Sequence, residues 1–98
     1  MNKFYGMVGI ARKGGKIVLG YDTTVSLIKS NINDVLVIIA SDASEKTKKN
    51  MIFECNKCNR NYIEYGEKVV YGKILNKKEV SILAVTDKNI ISYLKNNI

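Results

Sequence analysis

Val35-Leu36-Val37-Ile38-Ile39-Ala40 runs directly into Ser41-Asp42-Ala43-Ser44-Glu45-Lys46-Thr47-Lys48-Lys49. The first segment is apolar throughout, without the alternation of a half-exposed strand, and so predicts a central strand covered on both faces. The polar turn after it ends on Ser44, which suits an N-cap. Glu45 then falls in the first helical turn, where a carboxylate offsets the positive end of the helix dipole. The pattern predicts a helix from there to about Asn59. A buried strand, a polar turn and a basic helix form the repeating unit of an α/β fold.

The same alternation extends outward in both directions. Upstream, Phe4, Met7, Val8 and Ala11 have helical spacing, and Gly14-Gly15 stops that helix as glycine does past a C-terminus. Lys16 to Leu19 reads as a short strand. Tyr21, Val25, Ile28 and Ile32 mark one face of a second helix. Downstream, Asn61 to Tyr65 is a strand, Gly66 breaks it, and a short helix covers about Glu67 to Leu75. A polar loop, Asn76 to Glu79, leads into an apolar strand from Val80 to Val85. Asp87 then caps a last helix with Ile90, Ile91, Leu94 and Ile98 turned inward. Helices alternating with strands in this way predict a three-layer α/β/α sandwich. The expected architecture is a small four-stranded mixed sheet in one domain spanning residues 1–98.

Bulk properties narrow the function. The chain has 98 residues with 46% hydrophobic content spread along it, enough for one core. No apolar run approaches the roughly 20 residues that cross a bilayer. Met1-Asn2-Lys3-Phe4-Tyr5-Gly6 lacks the apolar core of a signal peptide, so a cytoplasmic location without membrane partners is expected. Sixteen Lys and Arg against nine Asp and Glu give a net charge of +7, which favours a polyanionic partner over mere solubilising charge only in combination with a site. With no histidine, His-based acid–base chemistry and most zinc sites are excluded. No cofactor, no metal and no enzymatic activity are expected. Cys55 and Cys58 form a Cys-x-x-Cys, but a redox motif would place its first thiol at a helix start. Here Met51, Cys55 and Cys58 fall at i, i+4 and i+7 late in a helical pattern, which favours a buried stripe.

Three segments compete for a binding role. In Arg12-Lys13-Gly14-Gly15-Lys16, Gly9 and Gly14 have phosphate-loop spacing. Gly15-Lys16 follows where Lys and Ser or Thr are needed, and the segment ends a helix instead of following a strand, so a nucleotide loop is rejected. Backbone contact with RNA and compensation of the helix dipole both remain open there. Gly20 to Ser26 opens a helix, whose free amides attract phosphate, and glycine admits close approach of a ligand backbone. Asp22, Thr23 and Ser26 offer polar groups to bases or sugars, or else Asp22 or Thr23 simply caps the helix. Lys77 and Lys78 in the third segment suit phosphate contact, or are a solvated loop.

Taken together, these segments resemble the L7Ae/L30e ribosomal-protein family of kink-turn RNA binders, and within it the bacterial YlxQ-like branch. The resemblance is carried by Gly9-Ile10-Ala11-Arg12-Lys13-Gly14-Gly15-Lys16, Val18-Leu19-Gly20-Tyr21, Val37 to Lys49, and Ala84-Val85-Thr86-Asp87-Lys88. It implies the family's α/β/α sandwich. It also implies a second helix whose N-terminus reads tandem sheared G·A pairs, and a loop before the last strand that covers a flipped-out nucleotide. Gly20 matches the family glycine, whereas Asp22, Thr23 and Ser26 stand where Asn, Glu and Lys are usual. An ionised Asp can only accept hydrogen bonds, where Asn also donates. In Tyr71-Gly72-Lys73-Ile74-Leu75-Asn76 only Gly72 of the family segment is kept.

By this resemblance Gly20, Tyr21, Asp22, Thr23 and Ser26 face the bent backbone and the G·A pairs. Lys13, Lys16, Lys29 and Lys46 contact phosphates, and Lys77, Lys78 and Val80 border the flipped nucleotide. The expected function is non-enzymatic recognition of structured RNA, ribosomal RNA or another kink-turn RNA, by a monomer in a ribosomal or translational setting. Two rivals stand beside it. One is a protein-interaction module on the same fold without specific RNA readout; the other is a redox protein using Cys55 and Cys58.

Overall fold

A computed structural model describes residues 2–98 of the chain. Its elements are α1 (Lys3–Lys13), β1 (Ile17–Leu19), α2 (Tyr21–Ile28), β2 (Leu36–Ile39), α3 (Glu45–Lys57), β3 (Asn61–Glu64), α4 (Lys68–Ile74), β4 (Ile82–Val85) and α5 (Lys88–Lys95). The sheet order is β1-β4-β2-β3, with β2 and β3 parallel and the other two pairings antiparallel. α1 packs on α4 and α5, while α2 and α3 pack together against the sheet. This is the expected three-layer sandwich with a mixed four-stranded sheet.

The order of strands explains where a site can form. β4 inserts between β1 and β2 and runs against both, in register Ile17↔Val85 and Leu36↔Val85. One end of the sheet therefore gathers Gly20, Ala40, Tyr65 and Ser81. It is tied by the Gly20 amide donating to the Ile82 carbonyl at 2.9 Å and the Ala40 amide donating to the Ser81 carbonyl at 2.8 Å. The opposite end holds Lys16, Thr86 and Arg60, with the Thr86 amide donating to the Lys16 carbonyl at 3.0 Å.

Several boundaries differ from the sequence pattern, each for a physical reason. α2 stops at Ile28, and Ile32 is exposed instead of continuing its buried face. The cause is Arg60. Its guanidinium donates from Nε to the Ile28 carbonyl (3.0 Å), from Nη2 to Ser30 (2.9 Å), and from Nη1 to Ile32 (2.6 Å) and Asn33 (3.3 Å). Carbonyls left without partners at the helix end are thus collected by one planar cation, and the chain turns there. β4 begins at Ile82, not Val80. The Val80 amide is instead taken by the Lys68 carbonyl at 3.0 Å, which pins the loop 76–81 to α4. Ile98 lies beyond α5 and is exposed, contrary to its expected inward face. Met51 and Cys55 are buried as expected, but Cys58 caps the end of α3 and is only half-buried.

Gly72 shows how closely the loop sits on α4. A Cβ there would lie 2.5 Å from the Lys78 carbonyl oxygen and 2.8 Å from the Glu79 Cα. Only glycine lets that backbone reach its place above the helix.

Replacing Arg60 with Met should cost about 2–4 kcal/mol in urea unfolding, because carbonyls at the end of α2 lose their donors. Arg60→Lys should recover little of it, since a single ammonium cannot span the same fork. Wild-type stability in Arg60→Lys would remove this account of where α2 ends.

Candidate RNA interface

At the Gly20 end of the sheet lies an open cleft of about 930 Å³, lined by Leu19 to Tyr21, by Lys46, Thr47 and Asn50 of α3, and by residues 77–82. Three elements build it: the start of α2, the first turns of α3, and the loop held down on Gly72. Lys46, Lys77 and Lys78 are all exposed along it. Glu79 is the acidic residue on its rim, and Lys68 lies 3.9 Å from that carboxylate.

The start of α2 is unlike the other helix starts. Asn2 caps α1, Ser44 caps α3 and Asp87 caps α5 through side-chain oxygens. Asp42 Oδ1 accepts from the first amide of α4 at 2.9 Å. Among the described residues, only α2 has no side chain on its first amides. Its N-cap is Gly20 itself, not Asp22 or Thr23, so the capping expectation for those two residues is corrected. Gly20 has φ +91° and ψ 162°, a conformation open essentially to glycine alone. Its own amide goes to Ile82, while the Thr24 amide returns to the Gly20 carbonyl at 3.1 Å. The amides between them point out of the helix end, where the dipole is positive. A Cβ at Gly20 would meet nothing within 4 Å, so the space in front of that end is open.

The structure brings together Gly20, Tyr21, Lys46, Lys77, Lys78 and Val80 from the sequence-derived set. Val80 is nearly buried and forms the floor of the cleft, offering little surface to a ligand. Tyr21 is half-buried against the core; burial, and behind it the Glu54 carboxylate, push its phenol up, so it remains a neutral donor. Asp22, Thr23 and Ser26 lie on the exposed side of α2, next to the cleft but outside its lining. Lys13, Lys16 and Lys29 are not part of this assembly. Lys16 precedes β1 at the far end of the sheet, about 13 Å from Gly20 at strand rise. Lys13 ends α1 near it, and Lys29 caps the C-terminus of α2, about 12 Å down the helix.

Sequence reasoning missed Thr47 and Asn50, which line the cleft from α3. The available signal was helical spacing, since Asn50 is one turn beyond Lys46. The cysteines offer no competing site. Cys55 is inaccessible, and burial pushes its thiol up to about 11, the reverse of an activated thiolate. Among the described residues there is no cluster of metal-ligating side chains, and no helix is long and apolar enough to cross a membrane.

Known proteins share this fold. The Ribosomal protein L7Ae/L30e/S12e/Gadd45 family matches residues 2–94, and the chain belongs to that family. It is 28% identical over 92 residues to the RNA-binding protein YlxQ of Bacillus subtilis (strain 168), covering 94% of this chain and 91% of that protein. Among solved structures it resembles a protein with unknown function from Bacillus halodurans C, with a TM-score of 0.89, 23% identity, and coverage of 98% of this chain and 96% of the other. It also resembles the Giardia lamblia 15.5kD RNA binding protein, with a TM-score of 0.78, 16% identity, and coverage of 97% and 84%.

Gly20→Ala should destabilise the fold by about 1–3 kcal/mol in urea unfolding, from backbone strain and not from crowding. Gly9→Ala, where the new Cβ would find ordinary contact 3.7 Å from Ile74 Cγ2 inside α1, should be neutral or stabilising. Equal effects of the two would remove the conformational role assigned to Gly20.

Proposed function

We propose that the protein is a non-enzymatic RNA-binding domain whose cleft takes a sharply bent, kink-turn-like segment of structured RNA. The observation that carries this is the uncapped start of α2 opening onto a cleft with three exposed lysines. Free amides at a helix start and lysines on facing elements satisfy phosphates that turn around a bend, which a straight duplex does not present so closely together. Gly20 and Tyr21 approach the bent backbone, Lys46 meets phosphates from the α3 side, and Lys77 and Lys78 close over a displaced nucleotide. Asp22, Thr23 and Ser26, beside the cleft, face the adjoining base pairs. Lys13, Lys16 and Lys29 add only long-range attraction, because they stand too far away to touch the same segment. The names of the similar Bacillus subtilis and Giardia lamblia proteins, both RNA-binding, support the reading. A ribosomal or translational setting, with the protein acting as a monomer, is the natural extension of it.

A protein-interaction role on the same fold is favoured by one observation. The exposed stripe of α2 carries Asp22, Thr23 and Ser26, with an acid and no cation until Lys29. An acid at that place repels phosphate and cannot donate to a base.

Titration separates the two roles. A kink-turn RNA should bind at least tenfold more tightly than the same RNA with its sheared G·A pairs replaced by Watson–Crick pairs. Three neutralised phosphates predict a loss of affinity of about 40-fold as salt rises from about 50 to about 200 mM. Equal affinity for both RNAs would falsify kink-turn recognition. Affinity indifferent to salt would leave the interaction role standing in its place.

A further inference from the structure

The cleft does not end at α3. Lys46 and Asn50 line it and also line a second groove of about 800 Å³ with Glu45, Lys48, Lys49, Ile52 and Glu64. At about 100° per residue, Lys46, Asn50, Phe53 and Lys57 fall within roughly 60° of one another on the helix. They form a single stripe, with Lys49 beside it, and all five are exposed. No acid sits in the stripe. Glu45 lies off it and 3.7 Å from Lys48, and Glu54 lies off it and half-buried.

Phe53 is 62% exposed on this stripe, at its edge toward Lys49. A lone exposed apolar side chain is ordinary on a protein surface. This one differs by its setting: an aromatic ring among cations, on a helix whose first turns line the cleft and whose core side is already filled by Met51 and Cys55. Lys46 and Phe53 are seven residues apart, about 10 Å along the axis. That matches about three nucleotide steps at a stacked spacing of about 3.4 Å.

We propose that an RNA strand leaving the cleft runs along α3 and stacks an unpaired base on Phe53, with Lys49 and Lys57 on the phosphates either side. The occupant is RNA because the stripe is continuous with the cleft and complementary to a polyanion. An aromatic face is what a splayed base needs and what a phosphate backbone alone does not. The inference rests on the RNA-binding reading of the cleft and extends its footprint to single-stranded flanking nucleotides.

The test uses one kink-turn RNA in three forms: blunt, with four unpaired uridines at the 5′ end, and with four at the 3′ end. Affinities are read by fluorescence anisotropy for wild type, Phe53→Ala, Phe53→Tyr and Lys46→Ala. One of the two extensions should tighten wild-type binding about tenfold. Phe53→Ala should lose that gain, Phe53→Tyr should keep it, and neither should change affinity for the blunt RNA. Lys46→Ala should weaken all three forms. The inference is overturned if neither extension helps wild type, or if Phe53→Ala keeps the gain. It is equally overturned if Phe53→Ala abolishes capture of a protein partner while RNA affinities stay at wild type. Failure of the wild type to bind even blunt RNA would strike the cleft reading instead, and would be seen separately.

Discussion

Leu36–Ile39 and Ile82–Val85 pair antiparallel in the middle of the sheet, and every residue in both strands is buried. Two strands with no face toward water need apolar cover above and below. α1, α4 and α5 provide it on one side, and α2 and α3 on the other. Each fully covered Val, Leu or Ile contributes about 1.5–3 kcal/mol, so the central pairing is where burial does most for stability. The same pairing sets the polarity of the sheet ends. Because β4 runs against both neighbours, the exit of β1, the exit of β2 and the entry to β4 coincide. The start of α2, the first turns of α3 and the loop 76–81 must meet there. The cleft follows from the register of two buried strands.

The architecture was legible because its signals are local. The Val35–Ala40 run, the Ser44 cap and the Asp87 cap each specify their element within a few residues, and all three stand in the structure. Strand order was not legible, because β4 enters between β1 and β2 from far along the chain. The end of α2 was misread for a similar reason. Val25, Ile28 and Ile32 keep helical spacing, but Arg60, 32 residues beyond Ile28, takes up the carbonyls and ends the helix. Val80 reads as strand by composition, yet its amide is bonded to Lys68. In each case a long-range hydrogen bond overrode a local pattern.

The candidate site was half legible. Gly20, Lys46, Lys77 and Lys78 come together from separate segments to line one cleft. Lys13 and Lys16 share a basic run with good local appearance, but β1 carries the chain from one end of the sheet to the other between Lys16 and Gly20. Charge in the sequence does not say which end it will occupy. What the sequence could not reveal at all is the contrast between α2 and its neighbours. Four helix starts are closed by Asn2, Ser44, Asp42 and Asp87, and one is left open among the described residues. An open start leaves amide donors without acceptors, a demand that the proposed bent phosphate backbone would meet.

Backbone amide shifts followed by NMR during titration with a kink-turn RNA test this account most directly. The account predicts that the largest changes fall on Gly20 to Thr23 and on Lys77 to Glu79, with Lys46 and Thr47 next, while Lys13 to Lys16 and Lys29 barely move. Changes centred on Lys13 to Lys16 and Thr86, with Gly20 to Thr23 unmoved, would contradict it and shift the binding surface to the opposite end of the sheet.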